Sequence, residues 1–174
     1  MISSVELWDT VWQRPYINYE KHHQVFWNKI KQRASGKILD LGCGSASCWK
    51  EEVRHLTGID YSPIAIEEAS KNTSGRFLVG DIQQIPLDEK DEKFDTIVLS
   101  GVINYYQDLT KIKEELKRLK ADKCRILITI NVIKDFPDRE WNHERIVEEF
   151  KELGSVITEF VEKIGYFIEV VSYN

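Results

Sequence analysis

The sequence is poor in the features that mark membrane, secreted and metal-binding proteins. Its 174 residues include three cysteines, one methionine and four prolines. No apolar run approaches the roughly 20 residues that cross a bilayer, and the N-terminus has no basic stretch followed by an apolar one. Cys43, Cys48 and Cys124 form no Cys-x-x-Cys pair, so we expect buried thiols rather than disulfides. These absences predict a cytoplasmic protein with no membrane contact and no bound metal.

Excess positive charge is also missing. Lysine and arginine total 24 against 29 acidic residues, a net charge of −5, which does not suit a protein that holds a phosphate backbone. One basic cluster could still face nucleic acid, and it consists of Lys111, Lys113, Lys117, Arg118, Lys120, Lys123 and Arg125. Because Glu114 and Glu115 interrupt the cluster, a solvated helix face is the favoured interpretation. We therefore do not expect a nucleic-acid partner.

No repeat, low-complexity stretch or linker divides the chain, so we predict one domain over 1–174. Its N-terminal segment, 1–35, is expected to be helical and to pack on the core. Within it, apolar and aromatic positions recur at helical spacing from about 18 to 34. The chain length fits a single compact domain, and we expect a monomer or a homodimer.

Strands and helices alternate after residue 36. Ser62 and Pro63 give a strong helix start, Asp108 can cap a later helix, and another is expected to run to about Leu153. The predicted strands are 37–41, 55–60, 76–80, 94–99, 125–130, 155–161 and 166–172, and a helix is predicted over 45–53. Five β/α repeats followed by an antiparallel hairpin predict an α/β fold, a doubly wound and mostly parallel seven-stranded sheet.

Carboxylates and glycines follow the first three predicted strands. Asp40 ends the first strand, and Gly42 and Gly44 come directly after it, where glycine allows a tight turn that a ligand can approach. Asp60 ends the second strand, and Asp81 follows the third. The carboxyl ends of parallel strands lie side by side, where open α/β sheets bind ligands, and a carboxylate there can accept two hydrogen bonds from a ribose diol. The sequence therefore predicts a nucleoside-containing cofactor.

This order of motifs resembles the class I S-adenosylmethionine-dependent methyltransferases. The resemblance covers 37–131 and rests on Asp40-x-Gly42-x-Gly44, Asp60, Gly80-Asp81 and Phe94-Asp95-x-Ile97. It implies S-adenosylmethionine as cofactor, held by Asp40, Gly42, Cys43, Gly44, Asp60, Tyr61, Asp81, Ile82 and Ser100.

The resemblance also implies individual roles in that set. Asp40 would orient the methionine amino group, and the two glycines would pass close to the methionine moiety. Asp60 would hold the ribose hydroxyls, Asp81 with Ile82 would meet the adenine, and Ser100 would line the sulfonium end. The chain departs from the family at Ala46, where a third glycine is common. Alanine fits there if its φ is negative.

Two other interpretations of the motifs are weaker. The aspartates could simply be loop or cap residues, which is harder to accept for all three strand ends together. A nicotinamide dehydrogenase would need a glycine at Ser47 for close helix–strand packing, and its fold fits the closing hairpin less well.

The methyl acceptor is left open by the sequence. The segment 99–106 lacks the Asn/Asp-Pro-Pro-aromatic motif of DNA adenine methyltransferases, and no Pro-Cys nucleophile is present. It resembles the corresponding segment of many small-molecule methyltransferases, so a small molecule is our first choice. A non-catalytic cofactor-binding subunit and an RNA or protein methyltransferase are the alternatives.

We expect the acceptor pocket between the N-terminal aromatic segment and the loop after the fifth strand. Its candidate lining residues are Trp8, Trp12, Tyr16, Tyr19, Asn131, Phe136 and Trp141. These aromatics could equally serve only to pack the helix on the sheet. His22, His23 and His143 are potential bases, although packing or surface positions suit them better. Since a sulfonium carries a good neutral leaving group, a general base is optional, and no catalytic residue is assigned.

Overall fold

The computed structural model describes residues 9, 19–50, 53, 55–88, 93–131, 141–161 and 164–172. In this part of the chain seven strands form one sheet. They are β1 (Ile38–Leu41), β2 (Leu56–Asp60), β3 (Arg76–Val79), β4 (Phe94–Ser100), β5 (Lys120–Asn131), β6 (Ser155–Val161) and β7 (Gly165–Ser172). The strand order is β3-β2-β1-β4-β5-β7-β6.

The directions of the strands confirm the predicted doubly wound sheet. The first five strands pair in parallel. Only β7 runs antiparallel, between β5 and β6, and it forms the predicted closing hairpin with β6. Every residue of β1 and β2 is buried, as expected for parallel strands covered on both faces. The carboxyl ends of β1, β2, β4 and β5 therefore meet at one edge of the sheet, and the candidate site lies there.

Four helices cover the described sheet: α1 (Tyr19–Arg33), α2 (Pro63–Asn72), α3 (Thr110–Leu119) and α4 (His143–Phe150). The predicted helix start at Ser62 and Pro63 is confirmed, whereas the N-cap residue of α3 is Leu109, which makes no side-chain capping bond, and Asp108 lies one residue before it. The Ser62 hydroxyl accepts a hydrogen bond from the Ala65 N–H at 3.2 Å, and the Asp108 carboxylate accepts one from the Thr110 N–H at 2.9 Å. Such hydrogen bonds satisfy N–H groups that have no partner within the helix. No described helix is both long and apolar enough to cross a membrane.

Alternating side chains divide the core into two layers, one on each face of the sheet. Leu39, Ile97 and Ile126 belong to the layer that contains Ile112 of α3 and Ile146 of α4. The neighbouring strand residues Ile38, Val98 and Leu127 point to the other layer, with Phe26 and Ile30 of α1. This period of two is the expected geometry of a strand that is buried on both faces.

The N-terminal segment is described only in part. Phe26 and Ile30 are fully buried, so α1 packs on the core. Trp8, Trp12 and Tyr16 lie outside the described residues, as do the side chains of Tyr19 and His22. The single domain over 1–174 and the packing of the first 18 residues stay predictions.

The prediction of a helix over 45–53 is wrong. Among the described residues of this range, 45–50 and 53, only Ser47–Trp49 is helical, as one turn of 3-10 helix, and Ala46 before it has φ 53° and ψ 28°. The Ala46 N–H donates to the Cys43 carbonyl at 2.9 Å, and the Ala46 carbonyl accepts from the Trp49 N–H at 2.8 Å. The chain thus makes two tight turns in succession. The left-handed residue between them prevents one continuous helix.

The cluster of basic residues forms ion pairs within the molecule. Lys113 pairs with Glu149 and Glu152 at 3.2 Å each, which ties α3 to α4. Lys117 joins the same Glu152 at 2.7 Å. Arg118 donates to the Leu87 carbonyl at 2.7 Å, and Arg125 pairs with Glu169 at 2.7 Å. These four members of the cluster therefore hold elements together.

Replacing Ala46 by glycine tests the left-handed backbone. Ala46 and Ala69 are both fully buried, so either change to glycine loses a buried methyl group, which is worth about 0.8 kcal/mol. Ala69→Gly also adds the helix penalty of about 1 kcal/mol, whereas Ala46→Gly relieves a left-handed strain of roughly 1–2 kcal/mol. In urea unfolding we expect Ala46→Gly to be nearly neutral and Ala69→Gly to cost about 1–2 kcal/mol. An equal decrease in the free energy of unfolding for the two variants would contradict the positive φ of residue 46.

Candidate functional site

The carboxylate of Asp60 joins the ends of two strands. It accepts hydrogen bonds from the Gly44 N–H at 2.8 Å and from the Ser62 N–H at 2.9 Å. The N–H groups of Gly42 and Cys43 both donate to the Ile59 carbonyl, at 2.7 and 3.1 Å. The glycine turn after β1 is therefore held directly against the end of β2, as the spacing of the motifs predicted.

The glycine at position 42 is required by its surroundings. Gly42 has φ 71°, and a Cβ there would lie 2.4 Å from Val102 Cγ2. The segment after β4 can approach the turn this closely only because the turn has no side chain at this position. Cys43, although in the turn, directs its sulfur toward Gly58, where a Cβ would lie 2.8 Å from Sγ. Burial raises the pKa of the Cys43 thiol well above its usual value, so the thiol stays protonated.

Asp40 is a buried carboxyl group with one strong partner. It is 4% exposed, and the Trp49 indole N–H donates to its Oδ2 at 2.7 Å. Burial raises the pKa of Asp40 to about 7, against the opposite effect of the Trp49 hydrogen bond, and the nearby Asp60 carboxylate raises it further. An ionised Asp40 is therefore costly in the free protein. Trp49 was not predicted as a site residue, because no sequence pattern indicates its contact with Asp40.

Asp9 is the one described residue of the segment before α1, and its side chain lies at the start of α2, next to Asp60. Its carboxylate accepts a hydrogen bond from the Ser62 hydroxyl. The pKa of Asp60 is raised mainly by burial, which outweighs the backbone hydrogen bonds, and Asp9 raises it further. Three carboxylates, Asp9, Asp40 and Asp60, thus surround the glycine turn.

The residues after β3 occupy the next part of the site. Asp81 accepts a hydrogen bond from the Gln83 N–H at 2.8 Å within a tight turn, and Ile82 is buried in the core. Burial raises the pKa of the Tyr106 phenol, and the carboxylates of Asp81 and Asp60 and the phenol of Tyr61 raise it further. Tyr106 therefore lies near both carboxylates and near Tyr61. Tyr106 was missed by the sequence analysis, since nothing in its own segment indicates these neighbours.

The ends of β4 and β5 are joined by side chains. The Ser100 and Thr129 hydroxyl oxygens are 3.1 Å apart, and the Gly101 N–H donates to the Thr129 hydroxyl at 2.9 Å. Gly101 has φ 68°, a left-handed conformation that turns the chain sharply after the strand. Thr129 was not predicted, but its place opposite Ser100 follows from the strand register.

Two predicted polar residues lie beside that turn. A Cβ at Gly101 would lie 3.4 Å from Asn131 Nδ2 and 3.8 Å from His23 Cε1. His23 comes from α1 and is 7% exposed. Asn131 ends β5. The structure thus brings together an N-terminal residue, the end of β4 and the end of β5, where the acceptor pocket was predicted.

The other predicted acceptor residues are less informative. Trp141 is buried in the core layer of α3 and α4, with the Arg145 guanidinium 4.5 Å from its ring centroid and its indole N–H without a hydrogen-bond partner among the described residues, and its place in an acceptor pocket stays a prediction. Phe136 lies outside the described residues. His143 Nδ1 is 2.6 Å from the Thr158 hydroxyl and links α4 to β6. Within the described ranges, no group of three or more His, Cys, Asp or Glu side chains could hold a metal ion.

Comparison with known proteins gives a family match over most of the chain. A family profile described as a methyltransferase domain matches residues 32–166. The chain is 29% identical over 119 residues to ribosomal protein L11 methyltransferase of Thermosipho africanus, covering 60% of this chain and 46% of that protein. It is 28% identical over 144 residues to ubiquinone biosynthesis O-methyltransferase of Pasteurella multocida, covering 69% and 60%.

A third relative extends the range of acceptors among similar proteins. The chain is 23% identical over 175 residues to tRNA U34 carboxymethyltransferase of Hydrogenovibrio crunogenus, covering 91% of this chain and 52% of that protein. The chain therefore spans about half the length of the curated relatives it matches. In fold it is similar to a SAM-dependent methyltransferase from Aquifex aeolicus, with a TM-score of 0.71, 16% identity and 96% coverage of each chain.

The pH dependence of stability tests the buried Asp40. Its folded pKa of about 7 exceeds the ordinary aspartate value of 3.8, so the folded state binds more protons and wild-type stability falls as pH rises between these values. Asp40→Asn still accepts the Trp49 hydrogen bond and carries no charge. Its stability relative to wild type should rise by roughly 2–4 kcal/mol between pH 4 and pH 8, measured by denaturant unfolding. The exposed Asp122→Asn is the control, and a pH-independent difference for Asp40→Asn would contradict the burial argument.

Proposed function

The chain belongs to the class I S-adenosylmethionine-dependent methyltransferases, and we propose that it methylates a small-molecule acceptor. The observation that carries the proposal is the convergence of Asp40, the Gly42–Gly44 turn and Asp60 with the joined ends of β4 and β5. The first group would hold the cofactor. The second would receive the acceptor.

Asp60 would hold the ribose of the cofactor. Each of its oxygens accepts one backbone N–H, and a carboxylate oxygen has room for a second hydrogen bond. The two fixed N–H groups keep the carboxylate in one orientation, so little entropy is lost when ribose hydroxyls bind. Tyr106, near Asp60, Asp81 and Tyr61, would border the adenosine together with Tyr61.

Asp40 would hold the amino group of the methionine moiety. An ammonium beside a buried carboxyl lowers the pKa of that carboxyl, because it favours the charged form. Binding of the cofactor's amino group would therefore ionise Asp40 near neutral pH, and the charge pair would offset the free-energy cost of burying the ionised carboxylate. The Trp49 indole would keep the carboxylate in place.

Methyl transfer from a sulfonium group requires little acid–base catalysis by the protein. The bound cofactor would supply an electrophilic methyl group on a sulfonium sulfur, and transfer of that methyl group to the acceptor would leave a neutral thioether. The chain's contribution is alignment, since orientation alone can lower a barrier by several kcal/mol. Ser100 and Gly101, fixed by Thr129, would set the acceptor's approach, and the acceptor's proton would leave to water or to a nearby side chain.

Two observations support a small acceptor over a nucleic acid. Four members of the basic cluster are engaged within the fold. The side chains beside Gly101 are buried or half-buried, which favours an acceptor that enters the protein over one that lies across its surface.

Cofactor affinity tests the role of Asp60. We expect the wild-type protein to bind S-adenosylmethionine in a calorimetric titration and Asp60→Asn to lose about 1.5–3 kcal/mol of binding free energy, the range for hydrogen bonds to a charged group. Asp95→Asn is a matched control, because Asp95 also accepts a backbone N–H, from Lys37 at 2.8 Å, but at the opposite edge of the sheet. An equal loss of binding free energy in both variants would contradict the role of Asp60. The same holds if the wild-type protein does not bind S-adenosylmethionine at millimolar concentration.

The size of the acceptor is tested by transfer of a labelled methyl group. The protein is incubated with a cell extract and methyl-labelled S-adenosylmethionine, and the extract is then separated into small molecules, protein and RNA. We expect protein-dependent label in the small-molecule fraction and none with Asp60→Asn. Label confined to protein or RNA would show that the acceptor is a macromolecule, and no transfer in any fraction would favour the non-catalytic cofactor-binding subunit.

A further inference from the structure

We propose that Asn131 selects the methyl acceptor, by accepting a hydrogen bond through its side-chain oxygen from an O–H or N–H group. The acceptor class is thus a neutral protic molecule, such as a phenol, an alcohol or an amine in its neutral form. This inference rests on the proposed function, since it names the group that recognises the acceptor at the same site.

The starting observation is a buried oxygen with no donor. Asn131 Oδ1 is buried and accepts no hydrogen bond. Buried polar side-chain atoms in native proteins are nearly always paired, so an unpaired one calls for an explanation. It costs stability in the free protein, and that cost disappears if a ligand supplies the donor.

The position of Asn131 points to the acceptor as that ligand. Its carboxamide lies beside Gly101, where an added Cβ would be 3.4 Å from Nδ2. Gly101 directly follows Ser100, the residue expected at the sulfonium end of the cofactor. The imidazole of His23 lies near the same Cβ position, with Cε1 at 3.8 Å. The carboxamide of Asn131 therefore lies next to where the methyl group would be delivered, with Nδ2 as its atom nearest to Gly101 and Oδ1 on the same planar group.

The surrounding contacts hold Asn131 in place before any ligand binds. The Asn104 side-chain amide donates to the Asn131 backbone carbonyl at 2.9 Å, and Asn131 pairs with Gly165 across β5 and β7. The Gly101 N–H is fixed by both oxygens of Thr129, at 2.9 and 3.2 Å. A preorganised group of this kind loses little entropy on binding.

The same oxygen would reject acceptors that have no donor. A carboxylate or a thioether brings only hydrogen-bond acceptors, so Oδ1 would stay buried and unpaired in the complex. Sites built to hydrogen-bond a ligand group discriminate strongly against analogues that lack it, because the protein group is then left unpaired. Asn131 would thus act as a specificity residue, without taking part in bond making.

Probe pairs of similar size test the proposal without knowledge of the natural acceptor. Phenol is compared with fluorobenzene, and aniline with toluene, by saturation-transfer NMR on protein saturated with S-adenosylmethionine. We expect phenol and aniline to bind at least about tenfold more tightly than their partners, the size of one buried hydrogen bond. Asn131→Asp keeps an oxygen acceptor and should keep the preference, whereas Asn131→Leu should reduce the ratio to about one.

The remaining outcomes separate this inference from the proposed function. Both variants should bind the cofactor as the wild type does, which also shows that they fold. Equal binding of the probes, no binding of any probe at its solubility limit, or an unchanged preference in Asn131→Leu would overturn the role of Asn131. Loss of the preference in Asn131→Asp as well would assign recognition to the side-chain N–H group and also overturn the proposal. Failure of the wild type to bind S-adenosylmethionine would instead overturn the proposed function.

Discussion

The bridging carboxylate of Asp60 is the interaction on which the site depends. It joins the Gly44 and Ser62 N–H groups, so the turn after β1 and the start of α2 share one anchor. A single buried carboxylate thereby positions backbone from two βα connections. Burial raises the pKa of that carboxyl group, and the backbone N–H groups offset only part of this effect. Together with the hydrogen bonds from the Gly42 and Cys43 N–H groups to the Ile59 carbonyl, this contact fixes the glycine turn against the neighbouring strand end.

The site contains several destabilising groups of a kind that is rare in a core with only a structural role. Asp40 is a buried carboxyl with a pKa of about 7, Ala46 has a left-handed backbone, and Asn131 Oδ1 is buried without a donor. Each of them costs stability in the free protein. All three lie on the loops or strand ends at the carboxyl edge of the sheet, whereas the strands beneath them are uniformly buried. Destabilising features that gather at one edge of a sheet are typical of a binding site, where the ligand supplies the hydrogen-bond or charge partners that the free protein lacks.

Much of the fold follows from local patterns. Continuous apolar runs predicted the parallel strands, and Ser62 with Pro63 predicted the start of α2. The limits of prediction also have physical causes. Nothing local distinguishes a helix over 45–53 from two successive turns, because the difference is set by the backbone of Ala46 and by the Trp49–Asp40 hydrogen bond. β5 was predicted as 125–130 but extends over Lys120–Asn131, since its first residue, Lys120, pairs with Phe94 in β4.

The sequence alone determined the order of strands and helices and the placement of acidic residues and glycines at strand ends. Such features depend on residues a few positions apart in the chain, so the local spacing of apolar and polar residues indicates them. Only the tertiary structure decided that Tyr106 borders Asp60 and Asp81, and that Asn131 and His23 meet beside Gly101. Those contacts join residues far apart in the chain, and they are set by strand register and by the packing of α1, neither of which leaves a local pattern.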